Sequence, residues 1–335
     1  MDVTEPPHVV GSMDQAIGQR TWTGRDLVIL VPTLNRPKKL RELLESVTVQ
    51  TEVIGRVIIV DGADDAGPVA DLFRSSLPIE YLQCHPPGQI RQRNHGLSAL
   101  PEGEHLVALL DDDIVLEPEA VQEMIAFWNR APKETGGVAF NIVNGEPERY
   151  SRLKGLLGLS AREPGRVLQN GMTSAVTHAK SDVQVQWLPG GATVWCSELL
   201  LERSHPEVSA RWAIAEDLLF SYPVGKERPL FVCAGARILH KHEADYGHAR
   251  PEGYHGWTQT VWTYHFVSSI EDLSRIRFLF SILFRMIGKT GRALLRLDMR
   301  SLDFVRGQAR ALCSILLLER SGEATGTLLE RDYDG

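Results

Sequence analysis

Three consecutive carboxylates, Asp111, Asp112 and Asp113, follow an apolar run in the stretch H-L-V-A-L-L-D-D-D-I-V-L-E-P. The run has the length and composition of a strand buried on both faces, so the acids stand where that strand leaves its sheet. Adjacent like charges raise one another's pKa unless a cation sits among them. Hard oxygen ligands at one point suit Mg²⁺ or Mn²⁺, ions that commonly bridge protein carboxylates to substrate phosphates. In an open α/β sheet, ligands bind beyond the carboxyl ends of the strands, which is where these residues fall. A plainer alternative is that the acids start a loop, with Asp113 or Glu117 capping the helix after Pro118.

The elements that must position these acids are legible around them. Short β-branched and Leu-rich runs at 27–31, 57–60 and 79–83 alternate with helical patterns near 37–47, 69–75 and 90–100 before the central strand is reached. The first of these strands is expected to close at Pro32. This alternation implies a doubly wound, mostly parallel Rossmann-like sheet with right-handed crossovers. A helix is expected over 118–129, and strands over 137–143, 184–188 and 230–240, the last ending in H-K-H. A short helix is expected near 197–203 and another from Ala215, carrying Glu216 and Asp217. Residues 144–182 show weak periodicity and suit a loop covering substrate. Beyond Tyr254 the pattern is helical. The expected organisation is a disordered tail over 1–24, an α/β domain over 25–250 and a helical region over 251–335.

Composition narrows the class. The chain has 335 residues, 43% hydrophobic and 24% charged, the profile of an ordinary globular protein. A net charge of −7 argues against a general nucleic-acid binder, although an acidic protein can still hold phosphates through a metal ion. Four scattered cysteines, the acidic N-terminal segment M-D-V-T-E-P-P-H and the lack of any long apolar run point to a cytoplasmic location.

Side by side, the strand-end segments read V-P-T-L-N-R at 31–36, V-D-G-A-D-D at 60–65, G-Q-I-R-Q-R-N-H-G at 88–96, D-D-D at 111–113, G-G at 190–191 and E-D at 216–217. In this order and spacing, over about residues 27–243, they resemble the family 2 glycosyltransferases of the GT-A fold. The resemblance implies an inverting transfer of sugar from a UDP-, GDP- or dTDP-linked donor to an acceptor hydroxyl, with Mn²⁺ or Mg²⁺ as cofactor. It implies nucleoside contacts from Thr33 and Asp61, and an Arg near base and phosphates at Arg93, a role Arg91 could share while Asn94 steadies the loop. It maps the family's D-x-D onto Asp111 as ribose ligand and Asp113 as metal ligand, with Asp112 between them among the donor contacts. A late His ligand maps onto His240 or His242. The E-D pair implies Asp217 as general base, with Glu216 supporting it or contacting acceptor. Alone, those two acids would simply complement a helix dipole.

The family often carries an Arg soon after E-D, where this chain has Ser221, Tyr222 and Pro223. Gly190 and Gly191 would let backbone approach the sugar, and Trp187, Trp195 and Trp212 are candidates for acceptor stacking or for the core. Two other functions compete. A sugar nucleotidyltransferase would carry a G-x-G-x-R loop after the first strand, which V-P-T-L-N-R lacks; a non-catalytic nucleotide-sugar-binding protein would not need both acidic centres.

The C-terminal region lies outside the resemblance. At helical spacing, Arg285, Lys289, Arg292 and Arg296 form one stripe, opposite Leu279, Leu283, Met286, Ile287, Leu294 and Leu297. Such a helix either rests its basic stripe on an anionic membrane, as a peripheral contact at the inner face, or packs on the α/β domain with a solvated basic edge.

Overall fold

The computed structural model describes residues 21–146, 150–156, 158–203, 214–241 and 251–329. Its first half follows the expected alternation: β1 (Leu27–Thr33), α1 (Pro37–Thr48), β2 (Arg56–Asp61), α2 (Gly67–Phe73), β3 (Ile79–Gln83), α3 (Gln89–Leu97) and β4 (Leu106–Leu110). These strands lie parallel in the order β3-β2-β1-β4. Every residue of β1 and β4 is buried, as continuous apolar runs covered on both faces require. β1 runs through Pro32 to Thr33, because β4 pairs only with Leu27 to Leu30. Past that point β1 has β2 on one side alone, and a residue without N–H costs no ladder bond on the open side.

Beyond β4 the sheet becomes mixed. The chain continues as β5 (Ile114–Leu116), α4 (Ala120–Arg130), β6 (Gly137–Ile142), α5 (Arg152–Leu156), β7 (Val183–Val185), β8 (Ala192–Cys196), α6 (Ser197–Glu202), α7 (Glu216–Glu227) and β9 (Leu230–His240). β8 enters antiparallel between β4 and β6, and β9 pairs with β5, β6 and β7, giving the order β3-β2-β1-β4-β8-β6-β9-β5. Half of this sheet is therefore less parallel than its alternation suggests. The cause is β8, which inserts between β4 and β6 and runs antiparallel to both, although α4 and α5 separate it from β4 along the chain.

The tail expectation needs shortening. Trp22 exchanges two hydrogen bonds with the Asn129 side chain on α4, so residues from Trp22 onward are tied to the domain. Within 144–182, residues 165–174 form a small hairpin, with Gly165 N–H donating to Ser174 C=O and Leu168 N–H to Met172 C=O. A Cβ at Gly171 would sit 2.4 Å from Val267, so the hairpin wedges against the C-terminal helices instead of standing free as a cover.

Three helices complete the chain: α8 (Glu252–Ser269), α9 (Arg275–Arg296) and α10 (Met299–Ser321). α8 and α10 cross at backbone contact, since a Cβ on Gly307 would lie 1.8 Å from Gly253 C=O. Their apolar cluster, built on Trp262, Tyr264, Phe266 and Phe278, also takes in Ile90 of α3 and Tyr222 of α7. Tyr222 Oη donates to Asp272 at 3.4 Å and Lys226 Nζ lies 2.5 Å from the same carboxylate, which fixes α7 to the turn before α9.

Candidate active site

The sheet brings the expected residues to one edge. β1, β2 and β4 end side by side at Thr33, Asp61 and Asp111, and β9 delivers His240 opposite Ile114, just past the acids. The expected residues divide into those turned inward and those left open.

Thr33, Asp61 and Asp112 are turned inward. Asp61, fully buried, accepts hydrogen bonds from Ala63 N–H, Ala66 N–H and Tyr81 Oη, each at 2.8 Å. A carboxylate offers about four acceptor positions, so two of them hold the 61–66 loop in place and a third ties it to β3. Burial and that carboxylate push the Tyr81 phenol up to about 12. Thr33 Oγ1 donates to Asp112 Oδ2 at 2.8 Å, and Arg36 Nη1 lies 3.0 Å from Asp112 Oδ1 and 3.6 Å from Asp113 Oδ2. Burial lifts Asp112 to about 6 in spite of Arg36 and Thr33. Arg36 is thus a cation beside two of the three acids, a role its place in V-P-T-L-N-R could have suggested. Gln92 was also overlooked: its buried amide donates to Thr33 C=O and Val60 C=O at 2.8 Å each, clamping β1 and β2 at their ends.

Arg93 joins the two acidic centres. Only 1% exposed, it donates from Nη1 to Glu216 Oε1 at 2.7 Å and from Nη2 to Asp111 Oδ1 at 3.1 Å. Such charge-assisted bonds, split across one planar fork, set the end of β4 against the start of α7. Burial raises the pKa of Glu216, with Arg93 working against it. Asp217 is half-buried beside it, and burial followed by the Glu216 charge pushes its carboxyl up to about 8. Gly190 and Gly191 line this junction: a Cβ on Gly191 would fall 2.0 Å from Asp111 Oδ2, and one on Gly190 2.9 Å from Glu216 Oε1. Ser221, where an Arg was expected nearby, exchanges hydrogen bonds with Leu188 N–H and C=O at 3.0 and 3.1 Å and anchors α7 to the Gly190 loop.

Asp113 Oδ1 and His240 Nε2 stand 3.1 Å apart. An oxygen and an imidazole nitrogen at that separation are two donors one cation can share, and the set fits Mn²⁺ or Mg²⁺ by type. Asn144 fixes the His240 backbone through two hydrogen bonds of 2.9 Å. His242 and Trp212 lie outside the described residues. Another acidic group, Glu104, Cys196 and Glu198, converges at metal-ligand spacing, but Cys196 pairs with Leu106, at the far end of β4 from Asp111. Arg91 is separated from Arg93 and faces a cleft of about 370 Å³ lined by Gln83, Cys84, His85, Asn94 and His95. Trp195 is core, and Trp187 donates to Ser174 C=O while packing on the C-terminal cluster.

Residues 28–181 match the family model described as Glycosyl transferase family 2. The matched segment is 154 of the chain's 335 residues and takes in β1 to β6 and α5. The fold is GT-A-like: the crystal structure of S. aureus TarS 1-349 superposes with a TM-score of 0.50 at 17% identity, covering 91% of this chain and 90% of that one. The same TarS segment in complex with UDP-GlcNAc matches with a TM-score of 0.50 at 18% identity over the same shares of both chains. Against the longer TarS structure, at a TM-score of 0.48 and 18% identity, the match covers 72% of this chain and 39% of that chain. No curated protein matches this chain by sequence.

Proposed function

We propose that this protein is a metal-dependent, inverting glycosyltransferase that draws its sugar from a uridine-diphosphate-linked donor. The observation that carries the reading is the Arg93 fork, which holds a donor-side carboxylate, Asp111, and an acceptor-side carboxylate, Glu216, on one buried guanidinium. The donor class is supported by the complexes of TarS 1-349 with UDP-GlcNAc and with UDP.

In this reading the loops held by Thr33 and Asp61 receive the nucleoside, and the exposed part of Asp111 meets the ribose. Asp113 and His240 would hold Mn²⁺ or Mg²⁺, which when bound offsets the charge that develops on the leaving diphosphate. Asp217 takes the proton of the acceptor hydroxyl as its oxygen bonds to the anomeric carbon and the bond to the diphosphate breaks. A carboxyl raised by burial suits that task, because a base works best with a pKa near the working pH. Glu216, neutralised by Arg93, fixes the start of α7 and with it the position of Asp217. Direct displacement from the face opposite the leaving group inverts the anomeric centre.

The test is a calorimetric panel of UDP-, GDP- and dTDP-sugars with and without Mn²⁺. The UDP-sugar is expected to bind best and only with metal, and Asp113→Ala is expected to abolish that binding while Asp217→Asn keeps it. Equal binding without metal, or in Asp113→Ala, would remove the proposed site.

A further inference from the structure

α9 reads R-I-R-F-L-F-S-I-L-F-R-M-I-G-K-T-G-R-A-L-L-R, with six Lys or Arg and no Asp or Glu. Its orientation is the reverse of what a basic stripe facing a membrane requires. The helix packs inward through Phe278, Ile282 and Ala293, and the stripe begins on that same side: Arg285 and Lys289 are half-buried, with Lys289 Nζ 3.3 Å from the centre of the Phe304 ring. The side left open is apolar. Ile276, Phe280, Leu283, Phe284, Ile287 and Leu294 are all exposed. At 100° per residue they share an arc of roughly 100°.

The surface continues into the turn between α9 and α10, where Leu295 is 87%, Leu297 85% and Met299 72% exposed. Arg296 and Arg300, exposed as well, alternate with them in L-L-R-L-D-M-R. Single exposed apolar residues are ordinary; a contiguous strip of this length marks a contact surface. Charge decides what fits it. A second copy laid on this face would bring the exposed Arg277 and Arg300 at its edges against cations of another helix that carries no acid to pair them, a repulsive arrangement. An anionic bilayer accepts both features, because Phe and Leu enter the acyl boundary while exposed Arg277, which flanks the apolar arc, and Arg300 in the turn region reach lipid phosphates.

We propose that the outer face of α9 and the α9–α10 turn form a docking surface for an anionic lipid bilayer. The helix lies in the interface; among the described residues no helix is long and apolar enough to cross a membrane. The surface belongs to the C-terminal helices and does not depend on the donor or base assignments.

Flotation of the full chain with vesicles of phosphatidylcholine, alone or mixed with phosphatidylglycerol, tests this. Binding should be at least about tenfold tighter to the mixed vesicles and should fall as salt rises. Leu294→Asp combined with Leu295→Asp, and separately Ile287→Asp, should each weaken it about tenfold or more, with unchanged thermal unfolding because these side chains are exposed. Arg277→Glu with Arg300→Glu should remove the preference for anionic lipid. Absence of vesicle binding, or binding unchanged in the Asp variants, would overturn the proposal. A stable dimer in sedimentation velocity that Leu294→Asp with Leu295→Asp disperses would also overturn it, assigning the face to a second copy.

Discussion

Replacing Arg93 with Ala should destabilise the protein by an amount that depends on pH. Arg93 is buried and serves two carboxylates, Glu216 at 2.7 Å and Asp111 at 3.1 Å. Asp111 is partly open and can turn to solvent, whereas Glu216 is 7% exposed and has no such escape. Removing one partner of a buried pair costs about 3–5 kcal/mol when the remaining charge stays uncompensated. Glu216 can lower that cost by taking a proton, since its carboxyl is already raised by burial and loses the Arg93 charge that opposes the rise. A carboxyl whose folded pKa is raised contributes stability below its unfolded pKa and loses it as pH rises through the folded value. The variant should therefore sit close to wild type near pH 4 and fall progressively behind above it.

At about pH 8 we expect a deficit of roughly 3 kcal/mol, the lower end because Glu216 relaxes by protonation. With an unfolding entropy near 2.1 cal/mol/K per residue over 335 residues, that is a fall in Tm of about 4 °C. Thermal and denaturant unfolding from pH 4 to 8 measure it, together with the double variant Arg93→Ala, Glu216→Gln, which removes the stranded charge and should recover most of the loss at high pH. A deficit independent of pH, or a double variant no more stable than the single, would refute the account of Arg93 as counter-charge.

Asp217→Asn should lower turnover by about 10²–10⁴, and in the wild type kcat/KM should climb with pH through the raised carboxyl near 8. The same substitution should raise stability at pH 8 by roughly 1–3 kcal/mol, after discounting for solvent access, and leave it unchanged near pH 4, because the raised pKa makes the wild type lose stability as pH rises; a rate profile flat across this range would count against the base role. Gly191→Ala places a methyl 2.0 Å from Asp111 Oδ2, so Asp111 must leave its position on the Arg93 fork. Calorimetry should show donor affinity down at least about tenfold with a stability cost of roughly 1–3 kcal/mol; retention of both would show that the site tolerates the shift.

The sequence by itself determined the local elements and the strand ends that carry the acids. Leu106–Leu110 could only be a strand covered on both faces, and D-D-D had to follow where it leaves the sheet. Alternation likewise implied that β1 to β4 run parallel, because right-handed crossovers join them, while their order β3-β2-β1-β4 came from the tertiary structure. The antiparallel return of β8 was hidden, since five residues of A-T-V-W-C carry no mark of which neighbour they pair with or in which direction. Which carboxylates turn inward was equally hidden. Asp112 and Asp113 differ by one residue, yet one is held by Thr33 and Arg36 and the other meets His240, more than a hundred residues later in the chain. Periodicity found the amphipathic α9 and its charge stripe, but the outward face was set by Phe278, Ile282 and Ala293 packing on α8 and α10. A helix with two apolar arcs can bury either one, and only the shape of the surface it lands on decides between them.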